Sequence, residues 1–166
     1  MSVGKIAIAG ALLGGVYVAV PRDPPDRGLI LAQPAQIAVV RLREKSRVVE
    51  GTGMGSLTIA PAGVAGGAIL IGVTRAGDPR RVTCRVTIGA ASPDTSRAEV
   101  DCAPATSEDP PIRRVAVKAM ELVVREHVAA SVAQRPYDIE RVSDRLIALL
   151  VVNRAAVAAS LQPPGD

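Results

Sequence analysis

Two short turns, and the residues on either side of them, limit what this chain can fold into more than anything else in it. Around Ala91-Ser92-Pro93-Asp94-Thr95, pairing positions whose numbers sum to 186 sets Cys84 opposite Cys102, Val86 opposite Val100 and Ile88 opposite Ala98. Alternate residues of a strand share a face, so these six apolar side chains fall on one side of a sheet. The other side receives Arg85 opposite Asp101 and Thr87 opposite Glu99, both favourable cross-strand pairs. A slip of one residue would ruin both faces together. The earlier turn, Ala76-Gly77-Asp78-Pro79, extends the pattern with positions summing to 155, so that Ile69 faces Val86, Ile71 faces Cys84 and Val73 faces Val82. Three antiparallel strands then carry one continuous apolar face. Leu70, Gly72, Thr74, Arg81, Thr83 and Arg85 make a mixed reverse.

Strand signals run from residue 36 to 103, as QIAVVRLR, GSLTIA, GAILIGVTR, RRVTCRVTIG and RAEVDCA, with turn residues between them. After Pro104 the period changes. Ser107-Glu108-Asp109-Pro110 reads as a helix start, with Asp109 as cap and Pro110 in the first turn. Ala116, Ala119, Met120, Val123 and Ala130 then recur at helical spacing. Arg135-Pro136 breaks this helix and Asp138 caps a second, whose stripe includes Ile139, Val142, Leu146, Leu149, Leu150, Val157 and Leu161, up to Pro163-Pro164. The expected fold is α+β, a single domain over 36–162. It is an antiparallel meander of about four to five strands, one face covered by two C-terminal antiparallel helices near 110–134 and 138–161.

The N-terminus carries an address. Lys5 precedes Ile6–Val20, which holds no charge, and Pro21-Arg22-Asp23-Pro24-Pro25-Asp26-Arg27 follows. A basic start, an apolar stretch and a polar exit are the layout of an export signal. The run of 15 residues is short for a transmembrane helix, which needs about 20, yet Tyr17 is a poor residue before a cleavage point at Ala19. Residues 1–20 are therefore expected to be either a signal peptide or a single-pass membrane anchor. Residues 21–35, with four prolines, read as a stiff linker, from which Leu29–Leu31 can dock on the domain edge. Export makes a Cys84–Cys102 disulfide chemically reasonable, and the spacing is neither a redox C-x-x-C nor enough for zinc.

Composition narrows function by exclusion. There is no Phe or Trp and only two Tyr, so the core must be Val, Ile, Leu and Ala, with Met54 and Met120 as gap-fillers. Stacking platforms for single-stranded nucleic acid need aromatic faces that this chain lacks. The net charge is +4, and removing residues 1–19 takes away one basic side chain to leave +3, too mild for a nucleic-acid binder.

The remaining candidates read as structure. His127 is the only histidine, expected partly exposed or at the core edge, with Ser131 one turn later but without the exposed elbow of a hydrolase serine. Gly51-Thr52-Gly53-Met54-Gly55-Ser56 lacks the Lys-Ser/Thr of a phosphate loop. Glu44, Glu50, Asp94, Glu99, Asp101, Glu108 and Asp109 are a pool of carboxylates without a motif. Arg41, Arg43, Lys45 and Arg47 share one face if their strand continues, as a guard for a sheet edge or as a surface for an anionic partner. No catalytic residue, cofactor or metal ligand is assigned. The expected role is that of an exported bacterial envelope protein, periplasmic or inner-membrane anchored, acting as a non-enzymatic interaction module. Its partner would be another envelope protein or a membrane surface, with a homo-oligomer also open. The alternative is a small periplasmic hydrolase using carboxylates.

Overall fold

The computed structural model describes residues 28–50, 55–78, 80–102 and 110–160. The export segment, Pro21–Arg27, most of the glycine loop, the Ser107–Asp109 helix start and the Leu161–Pro164 stop lie outside these residues. The element order is β1 (Leu29–Leu31), α1 (Ala35–Arg43), β2 (Arg47–Val49), β3 (Leu57–Ala65), β4 (Ala68–Arg75), β5 (Arg81–Ala90), β6 (Ser96–Cys102), α2 (Pro111–Val132), α3 (Ile139–Val152) and α4 (Arg154–Ser160). The fold is α+β, with a curled six-stranded antiparallel sheet in the order β1-β6-β5-β4-β3-β2.

Both derived registers hold residue for residue. Cys84 pairs Cys102 and Val86 pairs Val100, while Ile69 pairs Val86 and Ile71 pairs Cys84. Ile69, Ile71, Val73 and Val86 are buried and Val100 is partly buried, whereas Arg81, Arg85 and Glu99 are exposed. A third hairpin joins β3 to β4 through Gly66 and Gly67, whose φ values of 55° and 77° are both left-handed. That is the type I′ geometry, whose twist matches the strands, and only glycine enters it without cost.

Two expectations fail. QIAVVRLR reads as a strand from its β-branched residues, but Ala35–Arg43 is helix α1. Ala38 and Leu42, one turn apart, are buried against the core while Arg43 and Glu44 remain in solvent. Tertiary burial of a helical i, i+4 pair outweighs local propensity here. The strand count also rises to six, because β1 and β2 have three residues each, too short to show a period. Leu29–Leu31 does dock on the domain edge, as a strand beside β6.

The cover differs in the same way. The sheet face is packed by α1, against β5 and β6, and by α2, against β6 and β1, while α3 packs mainly on α2. Helix α2 begins at Pro111 with Pro110 in the capping position, one residue later than the sequence signal places its start. Asp138 caps α3 as expected, its carboxylate accepting from the Arg141 N–H at 2.9 Å. The stripe does not run on to Leu161 in one helix, because α3 ends at Asn153, whose Nδ2 donates to Leu149 O at 2.8 Å.

Helix α3 has an outer surface unlike any other. Leu146 is buried, but Ile147, Leu150, Val151 and Val152 are 60%, 47%, 58% and 71% exposed.

Candidate functional site

Cys84 and Cys102 lie directly opposite on β5 and β6, fully buried, with sulfurs 2.01 Å apart. Their Cα atoms are 3.9 Å apart, closer than the 4.4–6.8 Å usual for a bridge.

The second half of α2 carries a buried polar network that sequence reading did not find. The Glu126 carboxylate accepts from Arg135 Nη1 at 2.6 Å and Nη2 at 3.2 Å, and from the Asp138 N–H at 3.0 Å. Those hydrogen bonds raise the Arg135 pKa and fix the connection from α2 to α3. Tyr137 donates to Val123 O at 3.2 Å, and burial, followed by the Glu126 charge, pushes its phenol pKa up. The one signal available was Glu126 itself, a carboxylate standing among residues of the buried stripe.

The basic cluster separates. Arg41 and Arg43 belong to α1, Lys45 to the connection and Arg47 to β2, so the expected common strand face does not exist. On a helix, residues two apart point to different sides. Arg41 Nη1 donates to Val132 O at 2.6 Å and Arg47 Nη2 to Arg135 O at 3.0 Å. Val132 is the last residue of α2, whose terminal carbonyls have no partner within the helix. Arg41 therefore serves the end of α2, where positive charge is favoured, and Arg47 the connection that follows it.

His127 is fully buried, a correction to its expected place at the core edge. Neither ring nitrogen has a hydrogen-bond partner, and the same holds for Ser131 Oγ. Burial, then the positive charge of Arg47, lowers the His127 pKa to about 4; a backbone contact with Lys45 opposes both without reaching hydrogen-bond geometry. A neutral imidazole sealed from solvent fills space rather than exchanging protons with a substrate. Glu44, Glu50, Asp94, Glu99 and Asp101 are all exposed, and Glu108 and Asp109 lie outside the described residues. Among the described residues no group of three or more His, Cys, Asp or Glu side chains could hold a metal ion, and no helix is long and apolar enough to cross a membrane.

A cleft of ≈ 290 Å³ lies where β1, α2 and α3 meet. Arg125 of α2 and Arg141 and Arg145 of α3 line it, with Leu29 and Leu122 at its apolar side. Glu126 also lines it, but its oxygens are engaged by Arg135 and Asp138. The lining is rich in guanidiniums, of which Arg125 and Arg145 are engaged in contacts of their own. No protein-family model, curated protein or solved structure matches the chain.

Proposed function

We propose that this is a non-enzymatic interaction domain of the bacterial envelope, working outside the cytoplasm in the periplasm or anchored at the inner membrane. The observation that supports it best is the Cys84–Cys102 pair. Two cysteines placed on facing strands, at the centre of an aliphatic core, are stable as a bridge where the surroundings are oxidising. The basic-then-apolar layout of residues 1–20 points the same way, towards export with or without cleavage. The partner in this reading is another envelope protein or the membrane itself, met through exposed apolar and basic surface.

Alkylation of the native host's freshly lysed cells, without reductant, tests the compartment. Mass spectrometry should find residues 84 and 102 joined, and N-terminal sequencing should find either a start near Val20 in the soluble fraction or the whole chain in the membrane fraction. Both thiols alkylated, on a full-length chain in the cytoplasmic fraction, would overturn it.

A further inference from the structure

We propose that the outer flank of α3 is an interface for a second copy of this chain, which packs its own α3 antiparallel against it across a two-fold axis. Glu140, Asp144, Ile147 and Val151 follow one another at helical spacings of four, three and four, so they share one flank. That flank is turned away from Val142 and Leu146, which are buried. All four of its residues are exposed, and Leu150 stands beside them. Arg154, also exposed, opens α4 three residues beyond Val151. The Asn153 N–H donates to Leu149 O, and Asn153 O accepts from the Val157 N–H, both at 3.1 Å. Helical bonding thus runs through the join and keeps Arg154 on the same flank. The flank is acidic at its start, apolar in its middle and basic at its end. Arg141 and Arg145 lie further round the helix, on the cleft side, and take no part.

Such an order is complementary to itself when reversed. In an antiparallel pair of helices, let positions whose numbers sum to 298 lie opposite each other. Ile147 of one copy then meets Val151 of the other, and Asp144 meets Arg154. A two-fold axis makes every contact twice, so four aliphatic side chains form a centre with an ion pair at either end. Glu140 sits one turn before Asp144, near the same guanidinium. Parallel pairing would set Asp144 against Asp144 and Arg154 against Arg154, which like charges oppose. Among the described residues the side chains of Glu140, Asp144 and Arg154 make no hydrogen bond or ion pair, so all three are available. An anionic bilayer would meet the two carboxylates with repulsion, and an uncharged apolar segment would leave all three charges unanswered. One helix against its copy is a small interface, below the area of a stable dimer. The association is therefore weak, with a dissociation constant of roughly 10–100 μM, and a dilute chain is monomeric.

Sedimentation velocity of the full chain, from about 1 μM to about 1 mM, tests the pairing. The protein should pass from monomer to dimer, and the double variant Ile147→Gln/Val151→Gln should raise the dissociation constant by about tenfold or more. Asp144→Arg and Arg154→Glu should each weaken the dimer by about tenfold, and less at high salt. An equimolar mixture of these two single variants should dimerise as well as the unaltered chain, because each supplies the charge that the other lacks. The melting temperature of each variant is the folding control. A monomer at every concentration would overturn the proposal, since lipid or a segment of the same chain would then be what covers the flank. A dimer that survives Ile147→Gln/Val151→Gln would place the contact elsewhere, the run Ile6–Val20 included, and would overturn it too. So would a mixture no tighter than its two components. The measurement is independent of compartment, so this interface and the export reading fail separately.

Discussion

The sheet with α2 and the helix α3 are both rich in valine, leucine and isoleucine, yet they use them in opposite ways. On β4 and β5 the apolar residues Ile69, Ile71, Val73, Cys84 and Val86 are almost wholly removed from water. On α3 only Val142 and Leu146 are, while four large apolar residues remain in solvent. Hydrophobicity alone does not decide burial. In the sheet, period-two alternation matches the backbone, so each apolar side chain has a facing layer to meet. In α3 the apolar residues outnumber what one flank can present to α2, and the surplus faces outward.

The largest expected effect breaks the comparison if it is wrong. Ile71→Ala, at a fully buried site on a central strand, should lower stability by about 2–5 kcal/mol in urea unfolding, whereas a cost under 1 kcal/mol would mean that the core is loosely packed. Next comes reduction of the bridge. Its separation of 18 residues predicts a loss of about 3 kcal/mol between oxidised and reduced chains under otherwise equal conditions. No change on reduction would mean that the sheet is held by packing alone.

A smaller effect sharpens the role of His127. Its folded pKa is lowered to about 4, from 6.5, so the unfolded chain takes up the proton first. The native state keeps its full stability above pH 6.5 and loses it as pH falls towards 4. Stability at pH 5 should be about 2 kcal/mol below that at pH 7.5, and His127→Leu should remove that contribution to the slope. An unchanged slope would place the titration elsewhere. The smallest effect belongs to α3. Ile147→Ala should change the melting free energy by no more than about 0.5 kcal/mol, because it is already in solvent, and a loss comparable to that of Ile71→Ala would show the outer face to be part of the fold.

The sheet was legible where turn chemistry and alternation agreed. Ala91–Thr95 and Ala76–Pro79 fix the partners of Ile69–Thr74 on β5 and of Cys84–Ala90 on β6, and no tertiary knowledge is needed to pair Cys84 with Cys102. Helix α1 was illegible because what makes it a helix lies elsewhere: the seats of Ala38 and Leu42 in the core, and the Val132 carbonyl that Arg41 meets. The arginine cleft was hidden for the same reason. Its walls come from Gly28–Ile30, from α2 and from α3, and no spacing along the chain announces that these three meet. Glu126 shows the limit most clearly, since its partners, Arg135 and Asp138, lie beyond the break that the sequence marks as the end of the helix.

The place of β1 also sets an order in time. Among the described residues it is the first strand a ribosome delivers, but Leu29 pairs with Ala98 and Leu31 with Ser96, on the last strand to be made. Every other neighbouring pair in the sheet joins strands consecutive in the chain, with short loops that close quickly. The hairpins from β3 to β6 can therefore assemble as they emerge, while β1 waits with one edge unpaired and α1 waits for a surface to cover. Closing β1 onto β6 is the step of greatest sequence separation, and the slowest by loop-closure entropy. Until residue 102 has appeared, neither that edge nor the cysteine pair can be completed, and the nascent chain is most open to pairing with another copy of itself.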